Sequence, residues 1–188
     1  VPWTEREWGD RHVLFRELPD AVRNRLPAEL SGFAFKNLGS LAQLYYRDPK
    51  VHYELWFHWR TGRLEVGLHF ERDESVNQLL FDAFDRRIVE IKATLGETID
   101  LERWDKGWAR IYETWPCDRV DRDFRAHTID RLSQIIAVLQ PIYDSAADSS
   151  ATLRDSLPRT RTRVVGRSRS RESRNVGDPG RGPTRSDR

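Results

Sequence analysis

Residues 51–70 constrain the fold of this chain more than any other stretch. From Val51 to Trp59 every odd position is apolar (Val51, Tyr53, Leu55, Phe57, Trp59), and from Leu64 to Phe70 the apolar residues move to the even positions (Leu64, Val66, Leu68, Phe70). Alternation with period two marks strands that bury one face only. The change of parity between the two runs is what lets an antiparallel hairpin place both apolar sets on one side. A two-residue loop at Thr61-Gly62 predicts the register: Trp59 opposite Leu64, Phe57 opposite Val66, Leu55 opposite Leu68 and Tyr53 opposite Phe70. On the other face that register sets His58 against Glu65, Glu54 against His69 and His52 against Glu71, with Trp56 over Gly67.

The rest of the chain supplies helices and further strands. Thr4 and Glu7 have capping-box spacing ahead of Trp8, Phe15 and Leu18, which predicts a helix over 5–18 ended by Pro19, with "DAVRNRL" as a short turn after it. In "SGFAFKNLGSLAQLYYRDPK" only the end, Leu41 to Arg47, reads as a strand, and "RDPK" as a turn. Leu80, Phe84, Ile88, Ile91 and Leu95 form one stripe at steps of four and three, closed by Gly96, so a helix is expected over 73–95. Two strands are expected at "ETIDLER" and "GWARIYETW", then a last helix over 121–140 that stops at Pro141. The fold class that follows is α+β: an antiparallel sheet of about five strands, in the order α-β-β-β-α-β-β-α, backed by helices.

Charge divides the chain in two. From Ala151 onward there are 11 Arg and 4 acidic residues, a balance of +7, whereas positions 1–150 hold 21 basic and 26 acidic residues, a balance of −5. The "RTRTRVVGRSRSRESRNVGDPGRGPTRSDR" segment has no aromatic residue and is rich in Gly, Pro, Ser and Arg, so 148–188 is expected to be a disordered tail and 1–147 a single domain. All four lysines lie in the domain, which fits a solvated tail from an arginine-preferring genome. One cysteine, Cys117, excludes an intrachain disulfide and a zinc ribbon. No apolar run reaches the roughly 20 residues that span a bilayer, and "VPWTEREWGD" lacks the apolar core of a signal peptide, so a cytoplasmic protein off the membrane is expected. There is no methionine, and the first residue is Val1.

Four groups of residues could carry function. Glu90-Ile91-Lys92 imitates the Glu-x-Lys of restriction-type nucleases, but that chemistry needs both side chains on one face, and on a helix positions two apart diverge by about 200 degrees. His52, Glu54, His69 and Glu71 bring imidazole and carboxylate donors to neighbouring strands, suited to a metal ion or to proton transfer. The competing explanation of the same face is a row of complementary cross-strand pairs, each contributing about 0.2–1 kcal/mol and left in water or covered by a partner. In that reading Trp56, flanked by His58 and Glu65, is the anchor of a protein interface. Finally, Arg103, Trp104, Lys106, Trp108 and Arg110, with Arg167, Arg169 and Arg171 of the tail, could stack on and neutralise a nucleic acid.

Two resemblances bear on this. The run "GRLEVGLHFE", the helix after it, "LERWDKGWARIYETWP" and the terminal "LQPIYD" resemble an uncharacterised bacterial domain found beside restriction-nuclease-like domains, over about residues 51–143. That resemblance implies a role accessory to DNA handling and transfers no functional residue. The order of elements separately resembles the secretion-chaperone type of α+β fold, whose members dimerise and bind protein segments. The expectation is a non-enzymatic, homodimeric protein-binding module without a cofactor. A nucleic-acid-associated accessory protein is the second reading, and a metal-dependent enzyme on the His/Glu face is the third.

Overall fold

The computed structural model describes the backbone of residues 5–156 and the side chains of residues 10–149. The elements are α1 (Glu5–Arg23), β1 (Ala34–Asn37), β2 (Leu41–Tyr45), β3 (Val51–His58), β4 (Arg63–Phe70), α2 (Glu74–Asp85), α3 (Ile88–Leu95), β5 (Asp100–Arg103), β6 (Ala109–Pro116) and α4 (Arg122–Ser156). Short 3-10 turns lie at Ala28–Leu30 and Asp105–Gly107. The strands form one antiparallel sheet in the order β1-β2-β3-β4-β6-β5. The α+β class is as the sequence implies, with six strands instead of about five. None of the described helices is long and apolar enough to cross a membrane.

The core lies between one face of the sheet and the helices. Tyr53, Leu55, Phe57, Leu64, Val66, Leu68, Phe70 and Ile111 are all buried on that face. Phe57 meets Phe15 of α1 at 5.7 Å, Phe70 meets Phe84 of α2 at 5.3 Å, and the Tyr53 hydroxyl donates to Gln140 Oε1 of α4 at 3.1 Å. Leu132, Ile135, Ile136 and Leu139 of α4 are fully buried. Each such Leu, Ile or Phe contributes about 1.5–3 kcal/mol.

This packing explains where local signals mislead. Pro19 and Pro141 lie inside α1 and α4 and do not end them. A proline removes one backbone donor, but Leu14, Phe15, Leu18 and Val22 before and after Pro19, and Leu139, Ile142 and Tyr143 around Pro141, are buried together only if each helix continues. Helix α4 therefore covers 148–156, the start of the expected tail; the remainder, from 157, lies outside the described residues. The stripe expected over 73–95 is two helices. Asp73 caps α2 through Val76 N–H, and Arg87, at φ −115° and ψ 7°, breaks the rod so that Leu80 and Phe84 on one piece and Ile91 and Leu95 on the other reach the core. Strand β1, unexpected from its mixed periodicity, pairs with β2 through a turn in which Gly39 takes φ 83° and Asn37 Oδ1 accepts from Gly39 N–H at 3.0 Å.

The hairpin differs in register by two residues. Val51 pairs with Phe70, His52 with His69, Tyr53 with Leu68, Glu54 with Gly67, Leu55 with Val66, Trp56 with Glu65, Phe57 with Leu64 and His58 with Arg63. The loop is residues 59–62, with Thr61 and Gly62 N–H both donating to the His58 carbonyl at 3.1 and 2.9 Å. A two-residue hairpin loop of the favoured twist needs positive φ at its first position in either turn type, and at both in type I′. Gly62 supplies it at 61°, but β-branched Thr61 resists it, so the loop widens. An even slip keeps every side chain on its expected face and changes every partner.

Candidate functional site

On the sheet face opposite the core, the slip sets the two histidines against each other. The His52 and His69 rings stack, with centroids 5.7 Å apart and planes 20° apart, and each residue is 1% exposed. Glu54 and Glu65 are buried as well, so this face is not the solvated ladder that the sequence suggests. A single hairpin has no third strand to contribute. In the sheet, β2 flanks it on one side and β6 on the other, and both send side chains into the face.

From β2, Gln43 stands opposite Glu54 and its Nε2 donates to Glu54 Oε2 at 3.0 Å, while lying 2.9 Å from His52 Nε2. His52 Nε2 is 3.3 Å from the same carboxylate oxygen, and its Nδ1 is 2.9 Å from the Pro49 carbonyl, which can only accept. From β6, Arg110 stands opposite His69 and donates through Nη1 to both oxygens of Glu65, at 2.8 and 2.9 Å. Its Nε and Nη2 reach Glu102 Oε2 of β5 at 3.2 and 2.9 Å, where the Tyr112 hydroxyl also donates at 2.8 Å. The guanidinium is sandwiched between Trp104 at 4.3 Å and Tyr112 at 3.9 Å. His58 Nε2 completes the set 3.0 Å from Glu65 Oε2.

Burial pushes the carboxyl groups of Glu54 and Glu65 up, yet both are held below the ordinary carboxylate range. At Glu54 the His52 hydrogen bond, His69 and Gln43 outweigh burial, and at Glu65 His69, Arg110 and His58 do so. These two carboxylates are satisfied structural acceptors. His69 is different. Its Nε2 lies 3.1 Å from Glu65 Oε1, an ion pair when the ring is protonated, yet neither ring nitrogen meets the geometry of a hydrogen bond. Leaving such a group unsatisfied costs about 1–3 kcal/mol. One donor atom each from His52, His69 and Glu71 lie within 4.8 Å of one another, and Glu71, just past β4, is only half-buried. Of the four residues the sequence groups as ligands, the structure brings these three together; Glu54 stands behind His52.

Trp56 is stacked on Trp104 at 6.5 Å and packs at a tilt against His58 at 4.0 Å, so it is half-buried and not the free anchor expected, and Glu65, opposite it on β4, is buried out of reach of a partner. The exposed aromatic is Trp59, three residues further on, which is 49% exposed with the Arg60 guanidinium 4.9 Å above its ring. Leu38, 55% exposed, sits in the β1–β2 turn at the same end of the sheet. The β2–β3 register pairs Leu41 with Trp56, and continuing it sets Leu38 level with Trp59. Phe57 N–H donates to the Ser40 carbonyl at 3.1 Å and ties the two turns together.

The residues proposed to meet nucleic acid are engaged within the chain. Arg103 lies 3.9 Å over the Phe81 ring, Lys106 lies 4.9 Å over Trp108, Trp104 packs edge-on against His69 at 5.5 Å and Trp108 at 6.2 Å, and Arg110 is held as above. Arg167, Arg169 and Arg171 lie outside the described residues. Glu90 and Lys92 sit on α3 and turn to different partners, Arg87 at 3.4 Å and Asp100 at 3.6 Å. Sequence reasoning finds the strand that carries Gln43 but passes over the residue, because nothing local to Leu41–Arg47 says which residue of the hairpin it will face. It also passes over a cleft of about 390 Å³ between β6 and α4, lined by Glu113, Trp115, His127 and Arg131, which takes residues from three distant segments to form.

Fold and site together define an α+β protein in which one face of a six-stranded antiparallel sheet carries the core and the other a buried His/Glu/Arg network. No protein-family model, no curated protein and no solved structure matches the chain.

Proposed function

We propose that this chain is a protein-binding module. It uses the hairpin-tip end of its sheet, Trp59 and Leu38 with the rim of Trp56 and His58, to hold an apolar segment of a partner protein. The observation that carries the reading is the pair of large apolar side chains standing level on two linked turns, each about half exposed. Trp is the residue type most enriched among interface anchors. Arg60, over the Trp59 ring, puts positive charge beside the pair, which favours a partner with acidic residues flanking its apolar ones. A second copy docked patch to patch would bring Arg60 against Arg60, so a different protein suits this surface better than self-association.

Peptide display on the full chain, with Trp59→Ser combined with Leu38→Ser as the counter-target, tests this. Peptides with aliphatic or aromatic residues and acidic flanks are expected to enrich on the natural chain and to lose that enrichment on the variant. Equal enrichment on both, or a stable dimer by sedimentation that the double substitution dissolves, would overturn the reading.

A further inference from the structure

We infer that His52, His69 and Glu71 form a binding site for one divalent first-row transition-metal ion of the zinc type. The site uses none of the hairpin-tip residues and stands independently of the protein-binding reading.

Three observations converge. The first is proximity: the three donor atoms already lie within 4.8 Å of one another. A zinc-type ion holds imidazole nitrogen and carboxylate oxygen at about 2.0–2.2 Å, which places neighbouring donors about 3.4 Å apart. The backbone is fixed near that geometry, since His52 and His69 are paired across β3 and β4 and Glu71 N–H donates to the Lys50 carbonyl at 2.8 Å. The long side chain of Glu71 can make the remaining approach by rotation.

The second is His69. It is 1% exposed and neither ring nitrogen has a hydrogen-bond partner, in a face where Glu54, Glu65 and His52 all have theirs. A neutral buried imidazole in that state has an in-plane lone pair to which nothing donates, and a cation at the edge of the ring, in its plane, would use it.

The third is the tautomer of His52. Its Nδ1 faces the Pro49 carbonyl, which can only accept, so Nδ1 carries the hydrogen and Nε2 the lone pair; an ion at Nε2 would replace the contact from Gln43 Nε2, which keeps its own bond to Glu54. Metal-bound histidines are typically oriented by such a carbonyl or carboxylate on the nitrogen that does not ligate. The donor set selects the ion class. Two imidazoles and one carboxylate, with no sulfur, suit zinc, cobalt or nickel better than calcium or magnesium. Three protein donors leave a position for water, on the side where Glu71 is half-exposed.

The test is titration of the full, untagged chain, stripped with a chelator, with Zn²⁺ by calorimetry and with Co²⁺ by visible spectroscopy. One equivalent is expected to bind, with cobalt bands of a low-coordinate nitrogen and oxygen site and a rise in melting temperature with added Zn²⁺. His69→Gln and Glu71→Gln are each expected to weaken binding by about tenfold or more. His127→Gln, remote from the site, is expected to leave it unchanged. Glu71→Gln alters a half-exposed residue and keeps the test decisive if His69→Gln fails to fold. Absence of saturable one-equivalent binding, or affinities in the Glu71→Gln chain equal to those of the natural one, would overturn the assignment.

Discussion

His52 and His69 face each other directly across the β3–β4 ladder, rings stacked at 5.7 Å, yet one is fully hydrogen-bonded and the other is not. Without metal the two should therefore respond differently to removal. His52→Leu abandons the Pro49 carbonyl and takes one partner each from Gln43 and Glu54, whereas His69→Leu removes a ring that makes no hydrogen bond, beside a Glu65 that keeps Arg110 and His58. Chemical denaturation of the chelator-treated chains is expected to find His52→Leu about 2 kcal/mol less stable than His69→Leu. Equal losses would show that His69 has a partner after all.

Gly67 is a second sharp test, because β6 leaves no room for a side chain there. A Cβ on Gly67 would stand 2.5 Å from the Ile111 carbonyl oxygen and 2.5 Å from Tyr112 Cβ, and these atoms belong to or adjoin the backbone of β6. The strands would have to part. Gly67→Ala is expected to destabilise the protein by about 3 kcal/mol, and a thermal midpoint within a degree or two of the natural chain would contradict this packing.

Across the sheet, Arg131 of α4 is paired closely with buried Glu113 of β6 and donates as well to the Leu95 carbonyl. Thr98 donates to the same carboxylate at 2.6 Å. Arg131→Met keeps the stem and strands the carboxylate, an expected loss of about 3 kcal/mol. Glu113→Gln with Arg131→Met is expected to recover part of that loss in a double-mutant cycle; strict additivity would mean the pair is not coupled.

Acid should weaken the fold through the His/Glu face. Glu54 and Glu65 are held below the ordinary value of 4.5 in the folded chain. Their contribution is therefore complete above about pH 4.5 and is lost as the pH falls through their folded-state values. Urea midpoints measured from pH 7 down to pH 3 are expected to hold to about pH 5 and then fall. The fall should be shallower in Glu65→Gln, which starts less stable but has one such carboxylate fewer. A parallel fall in both chains would place the acid-sensitive groups elsewhere.

Much of the architecture is legible in the sequence, and the misses share a cause. The alternation of residues 51–70 fixes which residues of β3 and β4 enter the core, and the 3.6-residue stripes locate α2, α3 and α4. Boundaries fail at Pro19, Pro141 and Arg87, where the burial of residues on both sides outweighs a local preference of the backbone. The β1 strand fails because its residues are mostly exposed and show no period. Trp56 and Trp59 exchange roles because parity cannot tell a residue inside a strand from one in the loop beyond it.

By itself the sequence determined the faces of the central hairpin: which side chains of β3 and β4 meet the helices and which do not, because that depends only on a period of two. Only the tertiary structure decided the partners. The four-residue loop set His52 on His69 and not on Glu71, and the arrival of β2 and β6 brought Gln43 and Arg110 to bury what a lone hairpin would leave wet. Pairing and burial on that face arise from strands distant in the chain, and a local pattern holds no record of them.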